Sequence, residues 1–223
     1  MPHPHRVFLL LAFAVATVLP AQVHSTVPMP AASAEAARPL PVGADAPTPA
    51  LQTAAAQDFS LAAAFAQKPT VLIFYRGSWC PYCNRHLAAL AGVEPQLLAL
   101  GYQILAVSPD TAAGLKAMAE KNHLNYALLS DRSMNASAAY GVAFRVPPET
   151  EKSYRANGID LAPAPDGRGA WLPVPAVFII DRQGRIRFVH ANPDFKVRLD
   201  AADLVRAAQS VAAEGQKPAS EKM

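Results

Sequence analysis

The sequence contains only two cysteines, Cys80 and Cys83, among its 223 residues. A structural zinc site commonly takes four ligands, from two cysteine pairs or from one pair and two histidines. No second cysteine pair exists here, and the six histidines are scattered without the short spacing that such sites use. A metal site at these cysteines is therefore disfavoured, and a redox pair or a structural disulfide is left to consider.

Charged side chains are also few. They make up 17% of the chain, the formal net charge is +3, and no dense cluster of lysine and arginine is interleaved with aromatic residues. Nucleic-acid binding therefore has little support. Hydrophobic residues make up 52% of the chain, which is enough for one domain with a sizeable core.

The apolar run near the N-terminus is too short to cross a membrane. It covers residues 8–19, or about 12 residues, whereas a spanning helix needs about 20. Arg6 precedes the run, and Ala21 and Ser25 follow it, which is typical of a signal peptide over residues 1–25. We expect cleavage after one of these two residues and a periplasmic or secreted protein without a membrane segment; an uncleaved tether is the alternative.

The remaining chain divides by composition. Residues 26–56 are rich in proline and alanine and predict an extended linker. Residues 57–212 predict a single folded domain, interrupted by a polar, proline- and glycine-rich insertion at residues 143–172. Residues 213–223 predict a polar, frayed tail.

Strands and helices alternate through the predicted domain. Helices are expected over residues 61–66, 81–98, 112–121, 134–140 and 199–208, and strands over 70–76, 102–108, 126–130, 176–181 and 185–190. The last two strands flank "DRQG", a hairpin turn signal. The pattern predicts an α/β domain with a mixed central sheet flanked by helices.

Both cysteines lie in "FYRGSWCPYC" (74–83), where a buried strand gives way to a helix. Pro81 suits the first helical position, because its missing N–H would be unpaired there anyway. Cys80 then becomes the helix N-cap, and its sulfur faces the positive end of the helix dipole. Such a setting lowers the pKa of cysteine from about 8.5 and favours a nucleophilic thiolate.

Cys83 lies three residues on, on the same face of the first turn and within disulfide reach of Cys80. We expect Cys80 to be the exposed attacking thiol and Cys83, deeper in the helix, to resolve the species formed on it. A structural disulfide would close so small a loop that it would stabilise the fold little. The redox pair is therefore the favoured interpretation.

With these residues in place, the chain resembles the thioredoxin superfamily through "FYRGSWCPYC". The segments "ILAVSPDTAAGLKAMAEKNHLNYALLSDRSMNASAAYGV" (104–142) and "VPAVFIIDRQGRIRFVHANPDFKVRLDAADLV" (174–205) narrow the resemblance to its peroxiredoxin-like branch, the alkyl hydroperoxide reductase/thiol-specific antioxidant family. The resemblance extends over roughly residues 57–210. It implies a thioredoxin-like fold and a Cys80 that attacks a peroxide or a disulfide.

Two positions depart from the family pattern. Typical members carry a threonine three residues before the attacking cysteine, where this chain has Gly77. They also carry an arginine six residues before the strand-ending aspartate, and counting back from Asp181 gives Pro175. Thioredoxin-like reductases have a cis proline at the latter place. The resemblance therefore implies that Pro175 is cis and that the backbone of Val174 is free to pair with a substrate chain; an ordinary trans proline at the start of an edge strand is the alternative.

Three more side chains near the cysteines receive predicted roles. Arg76 either replaces the missing family arginine or is a solvated charge or a structural hydrogen-bond donor to a nearby carbonyl. Trp79 is expected to shield the sulfur and form part of a docking surface, with plain packing as the alternative. His86 is expected on the helix surface.

Together these features predict an exported thiol-dependent oxidoreductase with no cofactor. In the favoured hypothesis Cys80 reduces a hydroperoxide, a Cys80–Cys83 disulfide forms, and a thioredoxin-like or other thiol donor resets it. The alternative is thiol–disulfide exchange with a protein disulfide and without peroxidase activity. A non-catalytic protein with a structural disulfide or a metal site is less favoured.

Overall fold

The computed structural model describes residues 28–216. The predicted signal peptide and most of the predicted tail lie outside these residues.

The strands of this part of the chain are β1 (Leu51–Thr53), β2 (Asp58–Phe59), β3 (Thr70–Phe74), β4 (Gln103–Ser108), β5 (Ala127–Ser130), β6 (Ala143–Arg145), β7 (Trp171–Pro173), β8 (Ala176–Ile180) and β9 (Ile186–Ala191). The helices are α1 (Leu61–Gln67), α2 (Pro81–Ala99), α3 (Ala112–Asn122), α4 (Asn135–Ala139), α5 (Pro148–Ala156) and α6 (Ala201–Gln216). Within residues 28–216 no helix is both long and apolar enough to cross a membrane.

Seven strands form a central mixed sheet in the order β2-β1-β5-β4-β3-β8-β9. Strands β3, β4 and β5 are parallel, and β8 and β9 continue the sheet in antiparallel fashion. All five residues of β3 are buried, as expected for an unbroken apolar run inside a sheet covered on both faces. The predicted mixed sheet is confirmed.

Alternate side chains of the inner strands enter two separate cores. On one face, Val71 and Ile73 of β3 pack with residues of α2, α3 and α6. On the other, Leu72 and Phe74 pack with residues of α1 and α4. Helices therefore cover both faces of the sheet, as the alternating sequence pattern predicted.

The segment 28–56 is not the extended linker that its composition predicted. Ala37 and Ala46 are buried in the core on the α1 and α4 side, and Leu51, 1% exposed, begins strand β1, which pairs with both β2 and β5. The N–H of Arg38 donates to the carbonyl of Gly141 at 3.1 Å. Alanine and proline lose almost no side-chain entropy on burial, so a segment rich in both can pack wherever the fold leaves a shallow surface.

The predicted insertion at residues 143–172, called the excursion below, leaves the main sheet but forms secondary structure of its own. Strand β6 pairs with β7 in a small antiparallel sheet, and helix α5 lies between them in the chain. This helix has no fully buried residue, which explains why its sequence carried no apolar pattern. Its Tyr154 nevertheless packs on a small apolar cluster together with Trp79.

Gly141 offers a test of the packed N-terminal segment. Its φ is +70°, and a Cβ added there would collide with the backbone carbonyl of Arg38, whereas Gly158 has a φ of +72° and open space around it. We expect Gly158→Ala to lose about 1 kcal/mol of unfolding free energy from backbone strain alone. Gly141→Ala should lose about 2 kcal/mol more because the segment must shift. Urea denaturation measures both, and equal losses would contradict the packing described here.

Candidate active site

Cys80 stands between the buried strand β3 and the long helix α2. It is the N-cap of α2, with extended backbone angles (φ −85°, ψ 114°), and Pro81 occupies the first helical position. The placement is the one that the sequence predicts. It points the free N–H groups of the first turn at the region of the Cys80 sulfur, where they favour a negative charge.

Neither cysteine is exposed. Cys80 is 1% accessible and Cys83 is 0% accessible, and both are free thiols. The prediction that Cys80 is an exposed thiol was therefore wrong. The two cysteines belong to the core on the α2 side, and the rings of Trp79 and Tyr82 pack against it and cover them.

The two thiols have opposite acidities. The pKa of Cys80 is lowered to about 6, chiefly by a hydrogen bond from the Cys83 thiol; burial opposes this effect. The positive charges of Arg76 and Arg198 lower it further. The pKa of Cys83 is raised, first by burial and then by its hydrogen bond to Cys80. These opposite shifts favour the thiolate on Cys80 and the thiol on Cys83.

Arg76 is a buried cation held by aromatic rings. It is 4% exposed, and its guanidinium carbon lies 4.1 Å from the ring centre of Phe195 and 4.9 Å from that of Trp79. Its Nη2 donates to the hydroxyl of Tyr154. Arg76 is therefore not a solvated charge, and the hydroxyl and the cation–π contacts take the place of the alternative bond to a carbonyl and compensate for the loss of water around the guanidinium.

A second arginine, Arg198, contacts the other sulfur. Its Nη2 lies 3.4 Å from the Cys83 Sγ, and its Nε donates to the carbonyl of Phe195 at 2.7 Å. Sequence reasoning missed Arg198 because it comes 115 residues after Cys83, in the loop before α6. No local pattern connects the two; only the return of the chain beside α2 brings them together.

Buried polar side chains hold the loop before Cys80. The backbone N–H of Ser78 donates to Asp110 at 2.8 Å, and the side-chain amide of Asn84 donates to the carbonyls of Ser78 and Cys80 at 2.7 and 2.8 Å. Burial raises the pKa of Asp110, and hydrogen bonds from Ser108 and Ser78 partly offset the effect. These contacts fix the path by which the chain enters α2.

His86 was predicted on the helix surface, but it is buried. Its side chain is 8% exposed, and neither ring nitrogen has a hydrogen-bond partner in the described chain. Its pKa is lowered to about 4, first by burial and then by the charge of Arg198.

Within residues 28–216 no group of three or more histidine, cysteine or acidic side chains could hold a metal ion.

A model of the AhpC/TSA family matches residues 42–189, well over half of the chain. The chain belongs to the AhpC/TSA family. It is 33% identical over 104 residues to the Haemophilus influenzae protein assigned as peroxiredoxin bcp, with 47% of this chain and 66% of that protein aligned. It is 25% identical over 128 residues to chloroplastic peroxiredoxin Q of Triticum aestivum, with 57% and 49% aligned. The chain thus spans about half to two thirds of the length of these curated relatives.

Solved peroxiredoxins share the fold. Peroxidoxin BcpB from Mycobacterium tuberculosis superposes with a TM-score of 0.60 at 17% identity, over 79% of this chain and 98% of that one. Reduced Prx3 from Vibrio vulnificus in complex with hydrogen peroxide superposes with a TM-score of 0.62 at 20% identity, over 76% and 99%. The expected thioredoxin-like fold of the peroxiredoxin branch is confirmed.

Gly77 is the first departure of this AhpC/TSA member from the family pattern. Its φ is +148°, and a Cβ there would collide with the indole of Trp79 and lie 3.2 Å from the Asp110 carboxylate. A threonine therefore has no room at position 77. The loop of this chain is built around the Trp79 ring, which occupies the space next to the glycine.

Pro175 is the second departure. The structure has no cis peptide bond within residues 28–216, so the expectation of a cis Pro175 was wrong. The expectation of a free backbone at Val174 was also wrong. Its N–H donates to the carbonyl of Val142 at 2.8 Å, and its side chain is 2% exposed. Residues 142 and 174 border the β6–β7 pair, so the excursion itself covers this edge.

The acidity of Cys80 can be tested by changing its hydrogen-bond donor. Cys83→Ala removes the donor and should move the Cys80 pKa well above 6, whereas Cys83→Ser retains a hydroxyl donor and should keep it lower than in the alanine variant. The rate of alkylation by iodoacetamide should rise with pH through the pKa and level off above it, because only the thiolate reacts. Identical midpoints in the two variants would show that the donor does not set the pKa.

Proposed function

We propose that this AhpC/TSA member is an exported peroxidase that reduces hydroperoxides through Cys80. The observation that carries the proposal is the placement of Cys80 at the N-terminus of α2, three residues before Cys83, where the charges of Arg76 and Arg198 favour its thiolate. A thiolate at neutral pH is what attack on a peroxide oxygen requires. In the next step the Cys83 sulfur attacks, and its proton is transferred to the hydroxyl that leaves Cys80 as water.

The chemistry balances over three steps. The Cys80 sulfur attacks one peroxide oxygen, the O–O bond breaks, and the alkoxide leaves with a proton as an alcohol or as water, so that Cys80 becomes a sulfenic acid. The Cys83 sulfur then attacks the Cys80 sulfur; the hydroxyl leaves as water and a disulfide forms. Two equivalents of an external thiol, from a thioredoxin-like or other donor, return both cysteines to thiols and leave as a disulfide.

Arg76 is suited to the role of the family arginine that this chain lacks, since it has Pro175 at that position. During attack, negative charge moves from sulfur to the leaving oxygen, and a fixed cation stabilises that charge without reorganising. Arg76 is fixed by the rings of Phe195 and Trp79 and by the Tyr154 hydroxyl. Its charge already lowers the pKa of Cys80.

A small cleft leads to this arginine. Its volume is about 190 Å³, and its lining is mostly apolar, with Phe144, Leu172, Pro175 and Phe195 around Arg76. This volume is below the roughly 300–1,000 Å³ of typical small-molecule sites. A hydroperoxide with a short organic chain suits its size and polarity.

Thiol–disulfide exchange with a protein has less support. In that reaction a substrate chain pairs with the backbone beside the cysteines, and its sulfur reaches Cys80 directly. Here the N–H of Val174 is already bonded to Val142, and Cys80 is 1% exposed. A small peroxide needs no backbone pairing, and it needs a narrower opening than a protein chain to reach Cys80.

The peroxidase proposal is tested by stopped-flow mixing of the reduced protein with hydrogen peroxide and with tert-butyl hydroperoxide. We expect Cys80 to be oxidised far faster than a free thiol. Arg76→Met should slow the step by about 10²–10³, the cost of removing one preorganised stabilising group. Arg76→Lys should recover part of the loss, because it restores the charge but not the planar fork.

A wild-type rate no better than that of a free thiol would contradict the proposal. In that case Cys83→Ser, which cannot resolve a mixed disulfide, should trap a protein partner if exchange is the true activity. Tyr154→Phe serves as a milder control, since it removes the hydroxyl that Arg76 contacts and keeps the ring. We expect its loss of rate to be smaller than that of Arg76→Met.

Export rests on the sequence pattern of residues 1–25. Fusion of residues 1–27 to an alkaline phosphatase without its own signal should yield active enzyme in the periplasm of a bacterial host, because that enzyme needs disulfides that persist outside the cytoplasm. The full-length protein should lose the signal after Ala21 or Ser25, as mass spectrometry of its N-terminus would show. Inactive, intracellular fusion protein would contradict export.

A further inference from the structure

A second cavity lies between the first turns of α2 and the loop that leads into α6. Its volume is about 370 Å³, within the range of small-molecule sites. Its lining residues include Tyr82, Arg85 and His86 from α2, and Lys196, Arg198 and Asp200 from the loop. The proposed steps of peroxide reduction do not involve this cavity.

The cavity is positively charged. Arg85, Lys196 and Arg198 line it, against the single carboxylate of Asp200. Within residues 28–216 none of these three cations forms an ion pair with an acidic side chain. Cations that form no ion pair in a concave site attract anions and raise their local concentration.

Arg198 connects the cavity to the redox pair. Its guanidinium lines the cavity, and its Nη2 lies 3.4 Å from the Cys83 Sγ. Its Nη1 is buried without a hydrogen-bond partner in the described chain. An anion held by this arginine therefore sits next to the sulfur of Cys83.

We propose that this cavity binds the carboxylates of a small anionic thiol, and that this thiol is the reductant that resets the Cys80–Cys83 disulfide. The inference rests on the proposed function only in requiring that disulfide. Both sulfurs are at most 1% exposed, so a small thiol has easier access to them than the active site of a partner protein. The occupant is therefore a low-molecular-weight thiol with at least one carboxylate.

The reductive step proceeds by two exchanges. The thiolate of the bound reductant attacks the Cys83 sulfur, a mixed disulfide forms there, the Cys80–Cys83 bond breaks, and Cys80 leaves as a thiolate. A second reductant thiolate then attacks the reductant sulfur of the mixed disulfide, so the free reductant disulfide leaves and Cys83 takes up a proton. Cys80 is the better leaving group, because thiols of lower pKa leave faster.

The test begins with protein oxidised by diamide, so it does not depend on peroxidase activity. Reduction by mercaptosuccinate, which carries two carboxylates, is compared with reduction by neutral 2-mercaptoethanol, with each rate expressed per thiolate. We expect mercaptosuccinate to be faster by about tenfold or more at low ionic strength, as for electrostatic attraction to a charged cleft. The advantage should shrink in about 1 M salt, where the Debye length is near 3 Å.

Matched double variants locate the effect. Arg85→Gln/Lys196→Gln should lower the ratio of the two rates by about tenfold, because it removes two of the attracting charges. Lys116→Gln/Lys121→Gln changes the net charge equally on α3, away from the cavity lining, and should leave the ratio unchanged. Tricarballylate, which has carboxylates but no thiol, should compete with mercaptosuccinate in the wild-type protein.

Several outcomes would overturn the inference: equal rates for the two thiols in the wild type, an unchanged ratio in Arg85→Gln/Lys196→Gln, or failure of diamide to join the two cysteines. Acid quenching should trap the mixed disulfide on Cys83, and its location on Cys80 would overturn the direction of attack. If peroxide fails to oxidise the protein but the diamide-made disulfide shows the charge preference, only the peroxidase proposal fails.

Discussion

The structure depends on keeping a negatively charged sulfur inside an apolar core. An uncompensated buried anion is costly, and without help the group would take up a proton instead. Here the N-terminus of α2, the thiol of Cys83 and the charges of Arg76 and Arg198 together favour the thiolate of Cys80. The interactions that allow the Cys80 sulfur to be buried as an anion are thus the same ones that favour its nucleophilic form.

Arg76, one of the cations that favour the Cys80 thiolate, is itself buried, and its own charge therefore also needs stabilising contacts. Arg76 is 4% exposed and relies on the faces of Phe195 and Trp79 and on the Tyr154 hydroxyl in place of water. Tyr154 belongs to the excursion at residues 143–172. The excursion, which departs from the regular alternation of strands and helices, therefore supplies part of the support of the candidate active site.

Local sequence signals predicted the parts of the site that depend on neighbouring residues. The apolar run of β3, Pro81 at the first helical position and the spacing of Cys80 and Cys83 were enough to place the helix cap. Predictions that depended on distant residues were wrong. Val174 was expected to be free and His86 exposed, because nothing near either in the sequence reveals the elements that cover them.

The sequence by itself determined the α/β fold, the position of Cys80 at the start of α2 and the family, because these follow from periodicity, helix capping and spaced motifs. Only the tertiary structure decided that the sulfurs are buried, that residues 28–56 pack against the sheet, and that Arg198 contacts Cys83. Contacts between residues far apart in the chain leave no local pattern. They are set by how surfaces meet once the elements have packed.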